Sequence, residues 1–387
     1  MILTGEFATT QSRKPRVAIV HEWLVTYAGS EKVLEAMLQV FPDADIFCAL
    51  DFLPDKFRGN FKNSKIRTSF IQKIPLARYL HRHLLALMPL AVEQHDLSDY
   101  DIVISNSHAV AKGCLTSAGQ LHICYCYTPI RYAWDLQFQY LKESNLLWGL
   151  RSIIARWILH KIRIWDARTP LAVDAFIACS HYIARRIAKV YRRDSAVIYP
   201  NVDVDSFQVG QQEGDFYVTA SRIVPYKKIP LIVSAFKQMP SRKLIVIGDG
   251  PLLSECIALA SPNVKVLGYQ PDDVLLAHLM RARAFIFAAE EDFGIAPVEA
   301  QACGTPVIAF GRGGATETVI DGETGIFFNE QTAEAIVKAV DEFELCREKF
   351  DRTKIRQNAE RFSTRRFCSE FRDFVFKHWE AHCQSSK

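Results

Sequence analysis

Apolar residues recur along the chain in two alternating patterns. Short β-branched runs fit buried strands, and longer stretches with apolar residues three and four apart fit covering helices. The first strand is expected at 17–21 (VAIVH), followed by a glycine-containing turn and a helical EKVLEAMLQVF. Further strands are expected at 44–50, 101–107, 122–127, 175–180 and 196–200, with a helix at 181–191. After Pro200-Asn201-Val202-Asp203 the pattern restarts, with a strand at 215–222 and a helix at 229–239. More strands are expected at 243–251, 264–269, 284–289, 306–310 and 325–328. From Ala333 the tail is helical, broken near Phe362 and Ser363.

Such alternation predicts parallel sheets covered by helices on both faces. Two runs of it predict an α/β chain of two doubly wound, Rossmann-like domains facing a central cleft. The expected division is residues 1–200 and 201–365, with a helix over 366–387 packing back on the first domain. Ligands of such folds bind beyond the carboxyl ends of the strands, so the site is expected in the cleft.

Two stretches depart from this plan. Residues 56–92 hold eight Lys and Arg and no acidic residue. Residues 146–165 set Trp148, Trp157 and Trp165 among Arg151, Arg156, Lys161 and Arg163. Basic amphipathic helices with tryptophan suit an anionic membrane surface. Core-facing helices with a solvated basic rim are the alternative. No run of about 18 uncharged apolar residues occurs, so no spanning helix is expected. Residues 1–16 lack the apolar core of a signal peptide.

Composition narrows the classes. With 49% hydrophobic and 23% charged residues over 387 positions, the chain is globular. A net charge of +4 is too mild to imply a nucleic-acid partner. Ten cysteines show neither a C-x-x-C nor a zinc spacing. Cys114, Cys124, Cys126 and Cys179 sit in apolar, strand-like stretches, as free core thiols would in a reducing cytosol.

Candidate chemistry gathers at strand ends. Glu291 to Glu299 (EDFGIAPVE) follows a strand and enters a helix, with Glu299 expected in the first helical turn. Its loop amides suit an anion or sugar hydroxyls, and its carboxylates suit vicinal hydroxyls. Arg222 and Lys227 lie on a strand-to-helix loop of the same half, where they suit a diphosphate. Gly248-Asp249-Gly250-Pro251 is a tight turn open to close backbone approach. In the first half, Gly29 and Ser30 open a helix after the first strand, and His108 follows the strand at 101–107. The stretch 125–135 (YCYTPIRYAWD), with Arg131, lines a cleft or meets an acceptor.

These motifs in order, R-x4-K, G-D-G-P, E-D-F-G-x-x-P-x-E and A-C-G-T-P-V-I-A, resemble glycosyltransferase family 4, which has the GT-B fold. The stretches at 313–319 and 322–328 are also similar to that family. HEWL, GSEKVLEA and YTPIRYAWDL resemble its bacterial O-antigen and exopolysaccharide mannosyltransferases. The resemblance implies a retaining, metal-independent hexosyltransferase without cofactor. Its donor would be a nucleotide-sugar, GDP-mannose by the N-terminal likeness, with UDP- or dTDP-sugars as alternatives. The acceptor would be a lipid-linked oligosaccharide or polysaccharide precursor at the inner face of the plasma membrane.

By the same resemblance, Arg222 and Lys227 bind the donor diphosphate, Glu299 the ribose and Glu291 the donor sugar. Backbone of Phe293, Gly294 and Ile295 lies near that sugar, Gly29 and Ser30 near the phosphates, and Gly248, Gly268 and Tyr269 near the nucleotide. His108 contacts the sugar near the reacting carbon. Arg131, Arg151, Arg156, Trp157 and Arg163 serve the acceptor or membrane. The chain departs from relatives in AGSEK, where many show GGAER, and in Tyr127, where close relatives have His. An epimerase on the same fold and an inactive membrane-bound scaffold are the competing classes.

Overall fold

The computed structural model describes residues 14–211 and 214–385. The expectation about a signal peptide falls on the first 13 residues and lies outside them, as do positions 386 and 387 of the expected last helix.

The first sheet contains β1 (Val17–His21), β2 (Asp45–Cys48), β3 (Ile66–Thr68), β4 (Ile102–Ser107), β5 (Leu121–Cys126), β6 (Ala175–Ala178) and β7 (Ala196–Val197). The second contains β8 (Phe216–Ala220), β9 (Lys243–Ile247), β10 (Val264–Gly268), β11 (Phe285–Phe287), β12 (Val307–Phe310) and β13 (Gly325–Phe328). Their orders are β3-β2-β1-β4-β5-β6-β7 and β10-β9-β8-β11-β12-β13. All pairs are parallel, with β1 Ile19 opposite β4 Ile104 and β8 Val218 opposite β11 Phe285. The two expected doubly wound domains are therefore present. In each, strand order reverses beside the first strand, and ligand crevices open at such reversals.

The strands are continuous apolar runs because both faces are covered. One apolar cluster of the first domain joins Ile19, Ile104, Cys124 and Cys126 to the helices Gly29–Val40 and His181–Tyr191. The opposite face packs Val20, Val103, Met88 and Ile162. β3 was not expected. It is a three-residue edge strand with Arg67 exposed, and such short charged edges carry no apolar alternation to read.

The chain crosses between domains twice, side by side. Val202 N–H bonds Phe362 O at 2.8 Å, and Val202 pairs with Ser363. The helix Thr364–Ser385 then buries Phe367, Phe371 and Val375 against the first domain. Val202, Phe293, Val298 and Phe362 form an apolar cluster between the domains. All ten cysteines are free, and seven are buried.

His122 on β5 is fully buried, so burial pushes its imidazole down to about 4, despite the Ala172 carbonyl it faces at 3.1 Å. Its other nitrogen lies 2.9 Å from the Ser105 hydroxyl. An unfolded imidazole titrates near about 6.5, so below that pH the unfolded chain takes up a proton that the fold refuses. This contribution to stability is complete above about pH 6.5 and shrinks as pH falls toward 4. It costs about 2 kcal/mol between pH 7 and 5. Urea unfolding at the two pH values checks it, since His122→Gln should flatten this part of the dependence.

Candidate active site

The loops after β1, β4, β8 and β11 meet between the domains. Glu22 follows β1 directly and is buried. Its carboxylate accepts the backbone N–H groups of His108 (3.0 Å), Ala109 (2.7 Å), Val110 (2.8 Å) and Ala111 (3.1 Å), and the Ser107 hydroxyl (3.1 Å). Burial raises its pKa, but His108 and these amides outweigh burial and hold it below the usual carboxylate range. Glu22 thus fixes the loop that presents His108. Burial lowers the His108 pKa against the pull of Glu22, which leaves the imidazole able to accept a hydrogen bond from a hydroxyl. Its ring meets the edge of Trp23 at 5.0 Å between centroids.

A second chain of polar contacts holds the first helix. Asn106 Nδ2 donates to His21 Nδ1 at 3.1 Å, which puts the ring proton on Nε2, 3.4 Å from Glu31. Glu31 also accepts Ala28 N–H (2.9 Å) and the Ser30 hydroxyl (3.0 Å). The Ser30 side chain is thereby engaged within its own helix start. Gly29 lies close to the other domain, where a Cβ would come 2.7 Å from the terminal methyl of Ile295.

In the second domain, Lys227 and Glu291 form a direct ion pair, each mostly buried. Arg222 is exposed on the same loop. Gly248 keeps this loop in place, because a Cβ there would sit 1.8 Å from Ser221 O. Gly248 thus lets the neighbouring loop approach closely. Gly268 O accepts Gly248 N–H at 2.8 Å, and Tyr269 is 69% exposed.

Glu299 does not lie in the first helical turn. The helix runs Ile295–Ala302, starting after Gly294 at φ 90°, so Glu299 falls in its second turn. It is instead paired across the cleft with Lys32 Nζ at 3.2 Å. The Phe293 side chain points away from the cleft, packing on Tyr199 and Phe362 at 5.8 and 5.3 Å.

Arg131 pairs with Asp292 and is not available on an outer surface. Arg163 is turned inward too, donating to Ala133 O and Gln137 Oε1 at 2.5 Å each. Arg151 and Trp157 are exposed, and Arg156 is partly so. With Trp148, Leu150 and Ile153 they form an outer apolar and basic face of the helix Leu150–Arg168, away from the cleft. No helix among the described residues is long and apolar enough to cross a membrane.

Sequence reasoning missed several cross-domain groups. Glu317 accepts His181 N–H (2.8 Å) and Tyr182 N–H (2.7 Å) at the start of the helix His181–Tyr191. Asp292 takes Arg131 and, at 3.6 Å, Arg186. Glu22, whose partners all lie in its own domain, was missed too, and it carried a usable signal as an acid placed directly after the first strand.

Residues 202–362 match the sequence profile of the family described as Glycosyl transferases group 1. The whole chain shares the GT-B fold with solved structures. Sucrose-phosphate synthase from Thermosynechococcus elongatus superposes with a TM-score of 0.72 at 17% identity, covering 95% of this chain and 100% of that one. Anabaena HepE, in complex with UDP and glucose, gives 0.67 at 17% identity, covering 94% and 99%.

Among curated proteins, a GDP-mannose-dependent alpha-(1-6)-phosphatidylinositol monomannoside mannosyltransferase of Mycolicibacterium smegmatis is 30% identical over 232 residues. A D-inositol 3-phosphate glycosyltransferase of Mycobacterium leprae is 33% identical over 181. The matches take in 50% and 39% of this chain, and the chain spans 60% and 41% of those relatives.

Proposed function

We propose that the chain is a retaining glycosyltransferase that moves a hexose, mannose from GDP-mannose, onto a lipid-linked saccharide at the cytoplasmic face of a membrane. The observation that carries the reading is the Lys227–Glu291 pair, with Arg222 on the loop of Lys227 and Glu299 on the helix after Glu291, in a cleft whose second half matches the glycosyl transferases group 1 profile. Arg222 and Lys227 bind the donor diphosphate, and Glu299 exchanges Lys32 for the ribose hydroxyls. Glu291 holds the sugar. His108, presented by the Glu22-capped loop, meets the sugar from the other domain.

The residues suit front-face displacement. The bond from the anomeric carbon to the phosphate breaks as the acceptor oxygen bonds to the same face. The acceptor's proton passes to the leaving phosphate. Two side-chain cations meet the charge on that phosphate, so the step needs no metal. The curated mannosyltransferase relative favours GDP-mannose. The UDP complex of the Anabaena neighbour keeps a UDP-sugar as the second reading.

A thermal-shift panel of GDP, UDP, ADP and dTDP without metal tests the donor. A nucleotide at 100 times its Kd should stabilise the protein by about 2.7 kcal/mol. GDP alone is expected to do so. A shift with UDP or dTDP alone rejects mannose, and a flat panel rejects the transferase reading.

The exposed face around Trp148, Leu150, Ile153 and Trp157 suits an anionic bilayer. Neutralising Arg151 and Arg156 should each weaken binding to phosphatidylglycerol vesicles about fivefold, a basic residue near such a surface contributing about 1 kcal/mol. Salt should weaken it further. Sedimentation with vesicles measures both, and salt-insensitive binding rejects the electrostatic part.

A further inference from the structure

The loop that carries Glu291 is gripped by both domains, and the first domain grips it through the next residue, Asp292. The Asp292 carboxylate accepts Arg131 and faces Arg186 at 3.6 Å. Its backbone oxygen accepts the Ser180 hydroxyl at 2.6 Å. All three partners belong to the first domain. Two of them belong to one element, because Arg186 lies on the helix His181–Tyr191 and the Ser180 hydroxyl also caps that helix by accepting Ile183 N–H. The three charged side chains are mostly buried.

A second carboxylate of the same domain holds the same helix. Glu317 accepts the first two N–H groups of His181–Tyr191 and the Tyr199 hydroxyl at 3.1 Å. It lies on the short helix Ala315–Thr318, just after Gly313 and Gly314. Those glycines pack on the Glu291 loop. Gly314 N–H donates to Glu291 O at 2.7 Å, and a Cβ on Gly314 would fall 2.3 Å from Phe293 Cα. Residues 291–293 are therefore held by the Gly313–Gly314 turn of their own domain and by one helix of the other. The two carboxylates, Asp292 and Glu317, both close onto that helix.

We propose that Asp292 is a positioning residue, which with Glu317 clamps the helix His181–Tyr191 to the second domain and thereby sets where Glu291 stands relative to His108. The proposal rests on the reading of Glu291 and His108 as the groups that meet the donor sugar. Lys227 pairs with Glu291 from within the second domain, so opening the clamp leaves that pair and the donor loops intact. What changes is the alignment of the two halves. Asp292→Ala leaves Arg131 without this carboxylate and Arg186 to Asp135 alone, and uncompensated guanidiniums then meet at the domain boundary.

Two measurements on the full chain test the clamp. Small-angle X-ray scattering of the free protein should give a larger radius of gyration for Asp292→Ala and for Glu317→Ala than for wild type. Steady-state kinetics, with the donor that the nucleotide panel selects, should show Asp292→Ala lowering kcat by about 10²-fold, the scale of a misplacement of about 1 Å at a reacting centre. The donor KM should stay within about threefold, the split expected when alignment is lost and ground-state binding is kept. Asp292→Asn keeps the shape and removes the charge, and it carries the test where the alanine variant fails to fold. An unchanged kcat, or a raised KM with kcat kept, overturns the positioning role. An unchanged radius in both alanine variants overturns the clamp. A larger radius in the variants, with no turnover of any nucleotide-sugar by wild type, keeps the clamp and overturns the donor reading instead.

Discussion

Lys227→Ala is expected to lower kcat by about 10²-fold or more, the usual loss when one main stabiliser of developing charge is removed. The lysine pairs with Glu291 in the free protein, and both are mostly buried at 17% side-chain exposure. Lys227→Ala leaves the Glu291 carboxylate mostly buried without its partner, so some loss of stability accompanies the loss of rate. A 10²-fold effect is worth about 2.7 kcal/mol of transition-state stabilisation. A collapsed kcat in a variant still folded at the assay temperature is the predicted signature. Lys227→Arg should not restore activity fully, because a planar fork cannot replace a compact ammonium beside Glu291. The assay is turnover of the proposed donor, GDP-mannose, with hydrolysis to free mannose as the acceptor-independent readout. An unchanged kcat in Lys227→Ala removes the lysine from the reaction.

Much of this architecture is legible in the order of the amino acids. Parallel strands buried on both faces are continuous apolar runs, and twelve of the thirteen strands among the described residues fall on the expected segments. β3 escaped because an edge of three residues with Arg67 outward has no pattern. Of the candidate site, what was legible is the grouping that chain order supplies, as in Lys227 and Glu291, which the fold pairs. The site was illegible wherever the partner lies across the cleft. Nothing near Glu299 announces Lys32, 267 residues away, and nothing near Glu317 announces the helix it caps from the other domain. The position of Glu299 itself was displaced by one turn. Gly294 in the left-handed region starts the helix two residues before the proline that marks a first turn in sequence. Arg163 shows the same limit. In sequence it is one more cation on a basic face, and in the fold it ties Ala133 and Gln137 to the long helix.

Asp166→Asn is expected to be the most destabilising single exchange in the first domain, at about 3–5 kcal/mol. Asp166 and Lys112 pair at 2.6 Å with neither side chain exposed. The carboxylate also accepts Trp134 Nε1 at 2.6 Å and the Tyr191 hydroxyl at 3.0 Å. Lys112 spends a second proton on Ala109 O at 2.7 Å and lies 5.4 Å over the Tyr191 ring. Burial lowers the lysine pKa, but Asp166 more than restores it, so the ammonium persists inside the fold. Removing one charge strands the other in a medium that cannot solvate it. Removing both does not, so Lys112→Met with Asp166→Leu should be closer to wild type than either single change. The pair has a functional consequence as well. Lys112 holds the carbonyl of Ala109, and Glu22 holds the amides of the same loop, so His108 is carried between two buried charges. The double variant should therefore regain stability before it regains turnover. Urea unfolding of the first domain, followed by kcat on the same samples, separates the two. A single Asp166→Asn variant within about 1 kcal/mol of wild type would show that the buried pair does not hold the loop.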